Sequence, residues 1–299
     1  MEEWYVAPGP ASREFAELFA NRINVSLLTI EFTTFPDGES KIRVIEDVRN
    51  KRVIMVQSTY PPTDVHIMQA LMLSYKISQD GGEVYALIPY LGYARQDKEF
   101  LKGEVVSLAV IARLLRSVGV KRLITVDIHS SEGLGYFPFP AYSVSAIPAI
   151  AKYVNENYHL NKPVVVSPDF GASARAEGLA QLINSEYIVL SKKRDRLTGE
   201  VSIEDKTLNL EDRDVVIIDD IISTGGSVQK AALLLKKYGA RKIITACTHP
   251  IMVSNALERI TSAGVEEVIG TNTIPSPISK VDVTPIVAEY FKSLMSREY

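Results

Sequence analysis

Short runs of β-branched and aliphatic residues alternate along the chain with longer stretches whose apolar positions recur every three or four residues. The runs VSLLTIEF, KRVIMVQS, EVYALIPYL, KRLITVDIH, KPVVVSPD, EYIVLSKK, DVVIIDD and RKIITACTH predict strands. TDVHIMQALMLSYKISQ, EVVSLAVIARLLRSVG, IPAIAKYVNENY and SVQKAALLLKKYG predict helices, the last with Leu233, Leu234 and Leu235 inside, lysines late and Gly239 as its stop. Nearly continuous apolar strands separated by helices indicate an α/β fold with mainly parallel sheets covered on both faces. Ligands of such sheets collect at the carboxyl ends of the strands, and the strands here end in loops that carry charge.

The pattern also falls into two halves. VYALIPYLGYARQ (84–96) resembles VVVSPDFGASARA (164–176), and KRLITVDIHSSEG (121–133) resembles DVVIIDDIISTGG (214–226), as in a duplicated domain. The change of domain is placed near Tyr142 to Pro148, giving domains 1–144 and 145–283. After a proline-rich crossing (TIPSPISK), a helix over 284–299 is expected to return to the first half. A length of 299 residues accommodates two such domains of roughly 150 residues.

Composition narrows the class. With 46% hydrophobic and 23% charged residues the chain reads as globular, and a net charge of −3 gives no general attraction to nucleic acid or anionic membrane. An anion site must therefore be local. The single cysteine, Cys247, excludes an internal disulfide or a cysteine cluster for zinc, and its apolar setting (IITACT) predicts a packed thiol. No apolar run has the length of a spanning helix and MEEWYVAPGP is not a signal peptide, so the expectation is a soluble cytoplasmic protein.

The stretch VVIIDDIISTGGSV (215–228) carries the first chemistry: an apolar strand, two aspartates, a loop of hydroxyls and glycines, then a helix beginning near Ser227. Glycines let backbone amides approach a phosphate, and the helix N-terminus adds partial positive charge. Ser223, Thr224 and Ser227 add hydroxyl donors beside Gly225 and Gly226. Asp219 and Asp220 repel phosphate, so they must address another part of the same ligand, and the vicinal hydroxyls of a ribose fit. The GxxxxGK[ST] nucleotide loop is absent.

This stretch resembles the phosphoribosyl-binding loop of type I phosphoribosyltransferases and ribose-phosphate pyrophosphokinases. The resemblance implies two tandem phosphoribosyltransferase-like domains, with Asp219 and Asp220 on the ribose hydroxyls and the 223–227 loop on the 5-phosphate. The family has Asp where this chain has Ser223.

Four further stretches resemble the pyrophosphokinase branch. Phe35-Pro36-Asp37-Gly38-Glu39 is similar to its adenine loop, where a phenylalanine stacks on the base and the carboxylates accept from it. In PYLGYARQDKEFLKGE, Arg95, Gln96 and Asp97 match ATP-binding positions, Lys98 and Lys102 can reach a polyphosphate, and Gly92 and Gly103 bracket a segment able to move. His129 of VDIHSSEG and Asp169 of SPDFGASARAE match Mg²⁺ ligands, with Asp127 a further metal or water-shell residue. SPDFGASARAE also resembles the pyrophosphate loop, with Ala172 where a second glycine is common. In VLSKKRDRLTGEV, Lys192 and Arg194 face one side of an extended segment while Lys193 turns away, and they match the catalytic pair, Arg194 also serving the ribose 5-phosphate site.

The resemblance implies transfer of the β,γ-diphosphoryl group of MgATP to the 1-hydroxyl of ribose 5-phosphate, with a second, protein-bound Mg²⁺ and a homo-oligomer, dimer or hexamer. A phosphoribosyltransferase that consumes the product would explain the 215–228 stretch but not residues 35–39 and 92–98. A non-catalytic regulatory subunit would not need Lys192, Arg194 and His129.

Overall fold

The computed structural model describes residues 4–190, 192–194, 201–203 and 209–296, with Phe170, 192–194 and 201–203 described by backbone alone. The chain folds as two compact units. One comprises Met1–Ser145, Thr273–Pro275 and Val283–Tyr299; the other comprises Ala146–Asn272 and Ser276–Asp282.

The first unit is built on a six-stranded, all-parallel sheet. Its strands run Ser26–Leu27, Trp4–Pro8, Arg52–Val56, Glu83–Ile88, Val120–Val126 and Ala141–Val144 from edge to edge. Val53, Met55, Val84, Ala86 and Leu123 of these strands join Leu73, Ile77, Leu108 and Leu115 of the helices Thr63–Gln79 and Ser107–Ser117 in one core. The helix Thr284–Met295 packs against Arg13–Ile23, with the Phe291 ring edge-on to Phe19 and Trp4 at 5.7 and 5.2 Å. Lys292 Nζ donates to the Arg22 carbonyl at 2.8 Å, a cation at a helix C-terminus.

The second unit repeats the design. Its parallel strands run Glu186–Val189, Val164–Ser167, Asp214–Ile222, Lys242–Pro250, Glu267–Thr271 and Ser279–Val281. Each sheet has the same strand order, and in each unit a separate antiparallel hairpin lies between the edge strand and the third strand in space: Ile30–Thr34 with Ser40–Val44, and Lys192–Arg194 with Val201–Ile203.

This order corrects the sequence echo. By position, Trp4–Pro8 corresponds to Val164–Ser167 and Arg52–Val56 to Asp214–Ile222, not Glu83–Ile88 and Val120–Val126 as the echo paired them. Every central strand of a parallel sheet is an apolar run ending in a polar loop, so any two read alike. Other details also shift. VSLLTIEF divides into an edge strand and a hairpin arm. Of the three leucines, Leu235 is fully buried and Leu233 is exposed, because consecutive helical residues point 100° apart. Gly239, at φ +85°, ends that helix as expected. Cys247 is buried in the core and burial pushes its thiol pKa up, as suits a packed thiol.

Candidate active site

The strand Asp214–Ile222 pairs on both sides, with Val164–Ser167 and with Lys242–Pro250, so Val215 to Ile218 are wholly buried. It does not stop before the aspartates; Asp219 and Asp220 lie within it, followed by Ile221 and Ile222. Each holds the next amide: Asp219 Oδ1 accepts from the Asp220 N–H and Asp220 Oδ1 from the Ile221 N–H, both at 2.9 Å.

Beyond the strand the chain turns into the helix Gly226–Lys237 through Gly225, which has φ +76°. The carbonyls of Ile222 and Ser223 accept from the Met252 and Val253 amides at 3.0 and 3.1 Å, and that of Thr224 accepts from Arg259 Nη1 at 3.2 Å. Acceptors that would repel a phosphate are thus tied back, and the loop presents amide and hydroxyl donors at a helix N-terminus. The two glycines differ. A Cβ on Gly225 would meet the Ile260 side chain at 2.9 Å and the Ala256 carbonyl at 3.1 Å, whereas one on Gly226 would have only Thr224 Oγ1, at 3.9 Å. Gly225→Ala should therefore cost about 1–3 kcal/mol in backbone strain and clash by denaturant titration, while Gly226→Ala keeps the fold.

Asp169, on the neighbouring strand's loop, completes an acidic cluster. Burial, then the charges of Asp220 and Asp169, push the Asp219 carboxyl up to about 8. Asp169 Oδ1 accepts from the Gly171 N–H at 3.1 Å. The helix Ser173–Leu182 follows, and Arg175 in its first turn reaches back: Nη1 donates to the Gly171 carbonyl at 3.3 Å and Nη2 lies 3.7 Å from Asp220 Oδ2. Arg175, not anticipated from sequence, therefore ties the loop after Asp169 to the doubled aspartates. Its side chain and that of Asp220 are only 15% and 7% exposed, so the pair is shielded. Arg175→Met should lower stability by about 3–5 kcal/mol. Arg43→Met, in an exposed pair with Glu31, should cost less than about 1 kcal/mol by the same denaturant titration.

In the first unit, the predicted residues stand on three features. The Phe35–Glu39 turn closes the hairpin, with the Phe35 amide on the Glu39 carbonyl at 2.8 Å and Gly38 at φ +91°. Phe35 is 43% exposed, and Asp37, Gly38 and Glu39 are exposed beside it. This turn belongs to a separate ribbon, not to the sheet whose strand ends carry Arg95 and His129.

Arg95 and Gln96 are exposed and Asp97 is half-buried, just past the strand Glu83–Ile88. Gly92 is no hinge. Its N–H donates to Thr59 Oγ1 at 2.7 Å, and a Cβ there would meet Thr63 Cγ2 at 2.7 Å and the Thr59 carbonyl at 2.9 Å. Gly103 has φ +96° and open space around its Cα. Lys98 lies over the Phe100 ring at 5.2 Å and its charge acts on Glu132, so the 129–136 turn adjoins the Arg95 loop. His129 is exposed on that turn, whereas Asp127 is buried with φ +36°.

The first unit's counterpart of the phosphate loop is Ser58-Thr59-Tyr60, after Arg52–Val56. Its hydroxyls are engaged internally: Ser58 Oγ with the Tyr90 amide at 3.0 Å, Thr59 Oγ1 with the Tyr90 carbonyl and Gly92 amide. The loop that would bind phosphate in one unit supports the Arg95 segment in the other. Lys192 and Arg194 lie on the hairpin strand paired with Ile203 and Val201; their side chains are outside the described residues.

Residues 142–272 match the family model described as phosphoribosyl transferase domain, which makes the second unit a phosphoribosyltransferase-type α/β domain. Residues 5–119 match the N-terminal domain of ribose phosphate pyrophosphokinase. The chain is 39% identical over 285 residues to the ribose-phosphate pyrophosphokinase of Sulfurisphaera tokodaii, covering 94% of this chain and 97% of that one. It is 40% identical over 277 residues to that of Methanopyrus kandleri, covering 92% and 94%. The solved phosphoribosylpyrophosphate synthetase of Mycobacterium smegmatis superposes with a TM-score of 0.88 at 27% identity, covering 99% of this chain and all of that one. The chain belongs to the ribose-phosphate pyrophosphokinase family.

Proposed function

We infer that this protein transfers the β,γ-diphosphoryl group of MgATP to the 1-hydroxyl of ribose 5-phosphate, releasing 5-phosphoribosyl 1-pyrophosphate and AMP. The observation that carries the reading is the pairing, in one unit, of an acidic cluster (Asp219, Asp220, Asp169) with a donor-lined loop at a helix N-terminus. A sugar phosphate satisfies both: its hydroxyls donate to the carboxylates and its phosphate takes the amides and the hydroxyls of Ser223, Thr224 and Ser227. Family membership over both units supplies the ATP side.

The chain's residues then act by position and charge, since diphosphoryl transfer needs little covalent help from protein. Asp219 and Asp220 hold the 2- and 3-hydroxyls and so fix the sugar ring, aiming the 1-hydroxyl at the β-phosphorus. Arg175 holds Asp220 against the loop after Asp169. Phe35 stacks on the adenine, with Asp37, Gly38 and Glu39 along its edge, and Arg95, Gln96 and Asp97 take the remainder of ATP. Lys192 and Arg194 neutralise charge on the transferred group and the departing AMP.

Magnesium supplies charge neutralisation of the polyphosphate when bound. Asp169 suits it, being a hard oxygen donor in a cluster whose mutual repulsion a cation relieves. His129 is the second protein position assigned to it, and one histidine is an uncommon ligand for so hard an ion. Among the described residues no three His, Cys, Asp or Glu side chains form a group that could hold a metal ion, and magnesium commonly completes its shell with water and phosphate oxygens. No described helix is long and apolar enough to cross a membrane. A cytoplasmic homo-oligomer, dimer or hexamer, completes the reading.

Incubation with ATP, Mg²⁺ and ribose 5-phosphate should release AMP without any added nucleobase. Release of ADP, or a strict need for a nucleobase, would replace this reading with a monophosphoryl kinase or a phosphoribosyltransferase.

A further inference from the structure

The hairpin that carries the Phe35–Glu39 turn is not paired with the main sheet; Ile30, Phe32, Ile42 and Val44 of its arms pack on the core of the first unit. At its base Glu46 clamps Thr29, accepting from the Thr29 N–H at 2.8 Å and its hydroxyl at 2.7 Å. Near its tip one side-chain bond ties it to the body: Gln69 Nε2 donates to Ser40 Oγ at 3.1 Å. Ser40 directly follows Glu39.

Gln69 is 7% exposed, on the inward face of the helix Thr63–Gln79 among Ile67, Ala70 and Leu73. A carboxamide placed there costs stability unless it is bonded. Its Oε1 accepts from Gln57 Nε2 at 3.4 Å, and Gln57 is fully buried just past the strand Arg52–Val56. Gln57 in turn is locked by backbone groups. Its Oε1 accepts from the Ala11 N–H at 3.1 Å and its Nε2 donates to the His66 carbonyl at 3.3 Å. Gly9 makes room for it, because a Cβ there would lie 2.1 Å from Gln57 Oε1.

A backbone N–H can only donate and a carbonyl only accept, so the orientation of Gln57 is forced, and with it that of Gln69. The relay therefore runs one way, from the strand end through two amides to Ser40, which it addresses as an acceptor. Gln57 also directly follows the strand that corresponds in position to the one carrying Asp219 and Asp220. Where the second unit places carboxylates for a sugar, the first unit places a carboxamide directed at its own hairpin.

We propose that Gln57, Gln69 and Ser40 form a positioning relay that sets the pose of the Phe35–Glu39 turn for the adenine base, so that the strand end of the first unit governs ATP affinity without touching ATP. The inference rests on the reading of that turn as the adenine loop.

Steady-state kinetics on the full chain test it with Ser40→Ala, Gln69→Leu, the double variant and Phe35→Ala. Ser40→Ala and Gln69→Leu should each raise the KM for ATP roughly fivefold, the factor one neutral hydrogen bond contributes, with kcat and the KM for ribose 5-phosphate within about twofold. The double variant should rise no further than the larger single one, because both break the same bond. Ser40→Ala removes only a hydroxyl from the hairpin, so it reports even where Gln69→Leu loosens the helix. An unchanged KM for ATP in Ser40→Ala, a parallel rise in both KM values, or additive effects would overturn the relay. If Phe35→Ala raises the KM for ATP while Ser40→Ala does not, the relay alone fails. If Phe35→Ala leaves it unchanged, the adenine-loop reading fails and the relay with it.

Discussion

Asp219→Asn should make the ligand-free protein more stable at pH 8–9 while removing most of its activity. In the parent, burial and the neighbouring charges of Asp220 and Asp169 push the Asp219 carboxyl up to about 8. A carboxyl with a higher pKa folded than unfolded supports the fold while protonated. That support is complete below the unfolded value, near 3.9, and is lost as pH rises through the folded one. At pH 8–9 the parent has lost that support to ionisation and the amide has not. The amide still accepts from the Asp220 N–H, so local geometry survives. The gain in denaturation midpoint should be clear at pH 8–9 and absent at pH 4. If Asp219 accepts from a ribose hydroxyl as proposed, the same variant should lower kcat/KM for ribose 5-phosphate roughly a hundredfold. An amide variant no more stable than the parent at pH 9 would remove the claim that this carboxylate is held in an unfavourable, ligand-awaiting state.

Lys192→Ala should lower kcat by about a hundred- to a thousandfold, the range seen when one preorganised transition-state contact is removed, with ribose 5-phosphate affinity by calorimetry unchanged. The backbone supports such a role by holding Lys192 and Arg194 on one arm of an antiparallel hairpin, two residues apart and paired with Ile203 and Val201. Arg194→Ala should fall by a similar factor. The double variant should fall by less than the product of the two, since both cations address the same migrating group. Full turnover in Lys192→Ala would take that role away from it.

Much of the fold was legible because its elements are strongly patterned. Central strands such as Val215–Ile218 are apolar throughout because both faces are covered, and helices such as Gly226–Lys237 have clear stops. The strand order was not legible, since apolar runs ending in polar loops are interchangeable on the page. The echo between 121–133 and 214–226 therefore joined strands that do not correspond.

In the 223–227 loop the need for Gly225 was readable, but not its difference from Gly226, which depends on Ile260 and Ala256 of a later helix. Arg175 lies within SPDFGASARAE, but its bond to the Gly171 carbonyl in the turn before the helix left no signal in the sequence. Gln69 left a faint one, a lone amide in the apolar run VHIMQALML. The close backbone approach at Gly92 was not legible, because the glycine letter does not say which neighbour the backbone meets.

The most direct measurement follows the phosphorus atoms. With ATP labelled separately at the α, β and γ positions, β and γ labels should pass together into 5-phosphoribosyl 1-pyrophosphate while the α label stays with AMP, the two products forming one to one. Transfer of the γ label alone, leaving a β-labelled ADP, would contradict diphosphoryl transfer and the site assignment built on it.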